Sequence, residues 1–199
     1  MNEKFFDLNS EKQDRMINAS LHFFAKNGYK HASTDDIIKE AGISKGLLFH
    51  YFGNKQNLYT FLLEYSVRYM LFEYDRLIGD EKDYFAFHEK LELAKLNILR
   101  NYPYMYGFMD TASGEINPEI RSMSQEAIQK YDEAMNAYKN RLTTPSLKAD
   151  VDIEHVETLI RYTVNGLAST QLESGSPDAD LLYEQITEYI KLIEKLTLA

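Results

Sequence analysis

The chain reads as all-α, with about nine helices, on three observations. Apolar residues recur at three- and four-residue spacing along nearly the whole length, and no stretch shows the sustained alternation and tight turns of a hairpin. Only 9 glycines and 4 prolines punctuate 199 residues, so the breaks between helices are few and short. With 44% hydrophobic and 27% charged residues, the composition is that of a globular protein large enough to bury its own core.

Each element has a local cause. Across residues 10–27 a helix places Ile17, Leu21 and Phe24 on one face, and Gly28 follows where a left-handed C-cap is wanted. Ser33 opens a capping box with Asp36, and the short helix behind it ends at Glu40 or Ala41 because Gly42 breaks the pattern. Ser44 offers a second N-cap for a helix over residues 45–52, which Gly53 stops. Asn54 caps a longer helix through Leu58, Leu62, Tyr65 and Tyr69 toward Gly79. Further helices are predicted at about 84–101, 103–113, 118–142, 153–172 and 177–196. Pro103 and Pro118 suit first helical turns, while the polar run 143–152 and the Glu-Ser-Gly-Ser-Pro of 173–177 separate the last three. There is no internal repeat and no low-complexity tract.

Several classes drop out. Without cysteine there is no disulfide scaffold and no thiol nucleophile. Residues 1–12 carry charges where a secretory leader needs an apolar run, and nothing approaches ~20 consecutive apolar residues, so no membrane span and a cytoplasmic protein are expected. A Gly-rich phosphate loop, a His-Glu-x-x-His and a serine elbow are all missing, so an enzyme, a cofactor and a metal are not expected. Asp150, Asp152 and Glu154 alternate as in a calcium loop but lack its turn glycine and terminal glutamate. His88, Glu89 and His155 read as solvated surface residues.

A net charge of −9 argues against nucleic acid when averaged over the chain, yet the charge is unevenly placed. Residues 1–65 hold 8 basic and 8 acidic side chains, and the remaining 134 supply the whole deficit. Between Glu40 and Glu64 there is no acid, and that gap contains Lys45, His50 and Lys55. The two short helices around Ala41-Gly42-Ile43 form a helix-turn-helix, whose second helix suits a major groove. At about 100° per residue, Leu48 and Phe52 point inward to join Leu21, Phe24, Ile37 and Ile43, leaving Gly46, Leu47, Phe49 and His50 outward. Apolar groups there can pack on thymine methyls, and Gly46 lets a backbone approach closely. Ser33, Thr34, Ser44, Lys45, Tyr51 and Lys55 lie at helix ends, where hydroxyls, amides and a cation would meet phosphates.

Residues 17–58 resemble the DNA-binding signature of TetR-type one-component repressors: Ile17 and Ala19, Phe24, Gly28-Tyr29, Ser33-Thr34, Ile37, Ala41-Gly42-Ile43-Ser44-Lys45-Gly46, Leu48-Phe49, Phe52, Lys55 and Leu58. The sequence departs from the family at Ile38, usually alanine, at Phe49, usually tyrosine, and at Leu47, where a small or hydroxyl residue is common. Losing the hydroxyl at Phe49 removes a phosphate contact, and Leu47 shifts base preference. The resemblance implies a helix-turn-helix DNA-binding domain at 1–54 and a helical ligand-binding and dimerisation domain at 55–199. It also implies a homodimer that leaves a palindromic operator when a small molecule binds. The other reading is a helical small-molecule-binding protein that does not read DNA sequence.

In the second region, residues 65–109 hold 11 of the 26 aromatic residues, a density that suits an amphipathic cavity. In such repressors the pocket lies among the middle helices, so the resemblance marks Tyr69, Phe72, Tyr104, Phe108, Met109, Tyr131, Tyr162 and Asn165 as ligand-pocket candidates. An apolar, aromatic or cationic effector is favoured, because tyrosine faces hold cations and no basic cluster demands an acid. The last two helices carry apolar stripes, Val156, Ile160, Val164 and Leu167 on one and Ile186, Tyr189, Ile190 and Ile193 on the other, expected to pair about a two-fold axis.

Overall fold

The computed structural model describes residues 3–173 and 178–199. Among these, a short 3-10 turn (Glu3–Asp7) precedes nine α-helices: α1 Ser10–His31, α2 Thr34–Ala41, α3 Lys45–Phe52, α4 Lys55–Ile78, α5 Tyr84–Asn101, α6 Met105–Ser113, α7 Pro118–Asn140, α8 Ile153–Glu173 and α9 Ala179–Thr197. The all-α reading holds, and most ends fall within two residues of their predicted places. Gly28 interrupts α1 with φ +66, so the chain turns after Asn27 as its glycine dictates. Pro103 lies in the turn before α6 instead of inside it. The predicted helix start at Pro177 lies outside the described residues; α9 is N-capped by Asp178, whose carboxylate accepts from the amides of Asp180 and Leu181.

The chain divides into two compact units, Met1–Leu71 with Asn101–Met135 and Phe72–Arg100 with Asn136–Ala199. In the first, Leu21 and Phe24 of α1 are buried together with Ile37, Leu48 and Phe52 as sequence spacing predicts, joined by Met16 and Ile17, while Ile43 is only half-buried. This core continues beyond residue 54. Phe24 meets Tyr59 at 5.1 Å between ring centroids, and Tyr59 meets Phe108 of α6 at 5.4 Å. Phe5 of the leading turn is fully buried against Phe52 and Phe61, at 5.2 and 5.1 Å, behind the short helices. The Tyr102 hydroxyl donates to Asp14 Oδ1 at 2.8 Å and pairs with the Tyr65 hydroxyl at 2.6 Å, while Asn101 donates to the Tyr69 hydroxyl. Burial, with Tyr65 and Asp14 beside it, holds the Tyr102 phenol far above its ordinary pKa.

In the second unit, Phe85, Val156, Ile160, Ile186, Ile190 and Ile193 form a buried cluster in which α8 packs on α9. The C-terminal residues are tied to the α7–α8 connection, because Lys148 and Thr197 share a 2.9 Å backbone bond and Ala199 N–H donates to Ser146 at 2.9 Å. His88 departs from expectation: it is 8% exposed, against Tyr84 and Phe87. Glu89 is half-buried and His155 exposed. No described helix is long and apolar enough to cross a membrane.

Candidate nucleic-acid interface

The α2–α3 turn is built by backbone chemistry. Gly42 adopts φ +64, ψ +42, and the amides of Gly42 and Ile43 donate to the carbonyls of Lys39 and Ile38, closing α2. Ser44 then accepts from Leu47 N–H at 3.2 Å and starts α3. With Leu48 and Phe52 buried, α3 turns Ser44, Lys45, Gly46 and His50 to solvent, while Leu47, Phe49 and Tyr51 are half-buried. A Cβ built on Gly46 meets nothing within 4 Å, so a groove wall can approach the backbone there.

The charges on this face are provisionally occupied. Lys45 Nζ is 3.0 Å from Asp35 Oδ1 in an exposed pair, worth at most ~1 kcal/mol and therefore exchangeable for a phosphate. Lys55 Nζ donates to the Lys30 carbonyl at 3.3 Å and lies 5.0 Å from the Tyr29 ring centroid; burial lowers its pKa. The two helix starts differ. The first turn of α3 has no acid, whereas Asp35 and Asp36 occupy that of α2, where Ser33 accepts from Asp36 N–H at 3.3 Å. The amides beside Ser33 and Thr34 thus meet a phosphate through two carboxylates, while those beside Ser44 and Lys45 are unopposed. Spacing missed Arg15 of α1, whose guanidinium lies 3.9 Å from a Cβ placed on Gly42; the only hint was a cation on the solvent side of a core helix.

Residues 16–60, which include all of this turn, match the family model of the bacterial regulatory proteins of the tetR family. Over these residues the chain is a tetR-type DNA-binding segment. The protein is a DNA-binding transcription regulator. The fatty acid metabolism regulator protein of Bacillus subtilis is 25% identical, over 80% of this chain and 82% of its own. A TetR-family regulator from Chloroflexus aurantiacus shares the fold with a TM-score of 0.60 and 19% identity, covering 98% of this chain and 97% of its own. The regulator FadR from Bacillus subtilis, in complex with stearoyl-CoA, aligns with a TM-score of 0.54 and 17% identity over 88% and 96%.

In this chain the eight pocket candidates are not brought together. Phe108 and Met109 are buried in the first unit's core, and Tyr104 stacks on His22 at 4.4 Å. Tyr69 and Tyr131 are half-buried in that unit, whereas Phe72, Tyr162 and Asn165 belong to the second and are exposed. In the first unit the hydroxyls of Tyr65, Tyr69 and Tyr102 are satisfied by one another, by Asp14 or by Asn101, so these tyrosines pack as core instead of lining a void. A cavity of the first unit lies instead between α4 and α7, about 210 Å³, lined by Leu63, Val67, Met123 and Ala127, with Glu64, Arg68, Glu126 and Lys130 around it. Of the predicted pairing stripe, Val156, Ile160, Ile186, Ile190 and Ile193 close the second unit's own core, and Val164 and Leu167 pack against it. Tyr189 alone of that set stands outside, at 44% exposure, with Leu159, Tyr162, Leu181, Leu192 and Leu196 also exposed on the same two helices.

Proposed function

We propose that the protein is a repressor that grips a near-palindromic operator as a homodimer, one α3 in each of two major grooves about 34 to 36 Å apart, and releases it when a small molecule binds. The observation that carries this reading is α3: a capped helix with an acid-free start, open at Gly46, projecting from a rigid core. Gly46, Leu47, Phe49 and His50 face the bases, and Ser44, Lys45, Tyr51 and Lys55 meet phosphates, with Ser33 and Thr34 in a lesser role. Two copies join through the exposed apolar residues of α8 and α9.

The effector enters between α4 and α7. Its apolar lining and balanced charges suit an amphipathic molecule, and a relative of the same fold holds stearoyl-CoA. At about 210 Å³ the cleft is smaller than the roughly 300 Å³ at which ligand pockets typically begin, so an occupant must push α4 and α7 apart. Moving α4 moves Lys55 in its first turn, and a ligand preferring that state shifts the population away from operator binding. A coupling of ~1 to 3 kcal/mol weakens the operator complex roughly 5 to 150 fold.

The decisive experiment incubates the protein with fragmented DNA of its source genome at low salt and sequences what is retained. Enrichment of a few palindromic sites is expected. Uniform retention, persisting after unfolding and refolding free of ligand, overturns the reading. The salt dependence should be shallow, since few cations lie near α3.

A further inference from the structure

A second cleft, also of about 210 Å³, lies wholly within the second unit and shares no residue with the one between α4 and α7. Tyr84 and His88 of α5 line it, with Leu142 to Pro145 of the connection and Ile153 of α8. The walls are held in place: Thr143 N–H donates to the Lys82 carbonyl at 2.8 Å, and Arg141 donates to the Gly79 carbonyl at 2.7 Å.

Its polar groups are unusual. Tyr84 is 8% exposed, and its hydroxyl, with no hydrogen-bond partner among the described residues, is closed off from solvent, so a ligand in the cleft meets it when the ring turns. An enclosed hydroxyl with its bond unmade is costly, and a ligand that completes the bond recovers that cost. His88 sits 4.8 Å from the Tyr84 ring, and burial lowers its pKa to about 4, leaving a neutral imidazole that both donates and accepts. Burial and the nearby Glu157 raise the Tyr84 phenol to about 12, so it remains a donor. The charges at the mouth cancel, because Lys139 Nζ is 2.6 Å from Glu157. An anion would meet Glu157 there and a cation Lys139.

We propose that this cleft binds a compact, uncharged aromatic compound bearing a hydroxyl or carbonyl, its ring against Phe87, Leu142 and Ile153 and its oxygen accepting from the Tyr84 hydroxyl. The ring needs apolar walls, which these side chains supply. The oxygen needs a donor that no protein group has claimed, and Tyr84 is one.

The test uses the full chain and the ring-proton NMR signals of its 5 histidines, with His88 assigned through His88→Gln. Resorcinol is titrated to millimolar concentration, with benzoate and benzylamine as the charged comparators. Resorcinol should shift the His88 signal and leave those of His22, His31, His50 and His155 in place. Tyr84→Phe, which keeps the ring and should not lower Tm, should weaken that binding about tenfold, the worth of one hydrogen bond. Ile153→Phe, filling the cleft from α8, should abolish it. A silent His88 signal, preference for either charged comparator, or unchanged affinity in Tyr84→Phe overturns the proposal.

Discussion

The helix-turn-helix and the α8–α9 pair are both helical and both carry apolar residues on their outer surface, yet the sequence assigns faces in one and not in the other. In the first, every helix is about eight residues long and bounded by Ser33, Gly42, Ser44 or Gly53, so caps set the register and one apolar face remains. In the second, two long helices carry apolar side chains around much of their circumference: Ile186, Ile190 and Ile193 on one side of α9, Leu181, Tyr189, Leu192 and Leu196 on another. Periodicity reports that stripes exist. It does not report which stripe faces the same chain, because either choice buries similar area.

Substitutions can sharpen this contrast. The largest expected loss is for Phe24→Ala, about 4 kcal/mol, since the ring is fully buried between helices; chemical denaturation measures it. Ile190→Ala should cost about 3 kcal/mol at every protein concentration, because its partners belong to its own chain. If the loss instead vanished on dilution, the inward face of α9 would be the interface after all.

Acid should act on the second unit through His88. Its folded pKa of about 4 lies below the ordinary 6.5, so between these values the unfolded chain binds a proton that the folded chain refuses. Stability is therefore full above about pH 6.5 and falls as pH drops through 4, by up to about 3.5 kcal/mol (2.5 units at about 1.4 kcal/mol each). Lys95 and Lys139 reinforce the depression and Glu157 opposes it. His88→Gln should flatten the slope measured by denaturation across that window.

Smaller effects test the outer faces. Leu192→Ser and Leu196→Ser together should change monomer stability by less than about 1 kcal/mol yet weaken self-association at least tenfold, read by sedimentation. Ser44→Ala should remove about 1 kcal/mol by uncapping α3 and loosen operator binding with it. Asp35→Asn should leave Tm nearly unchanged, since its pair with Lys45 is exposed, while tightening DNA binding by freeing that cation. Equal operator affinity in Asp35→Asn would remove Lys45 from the contact set.

The order of the helices, most of their ends and the packing of Leu21, Phe24, Ile37, Leu48 and Phe52 around the helix-turn-helix were determined by the sequence alone. Capping serines and asparagines, positive-φ glycines and 3.6-residue spacing act over only a few residues, and the chain states them directly. Packing over long separations decided the rest. Only the folded chain buries His88, enrols Tyr65 and Tyr102 in a hydroxyl chain to Asp14, and pins Ala199 to Ser146. Only the folded chain turns Ile190 inward and Leu192 outward. A side chain 88 residues away in sequence can satisfy a hydroxyl, as Asp14 does for Tyr102, and no local pattern says which one will.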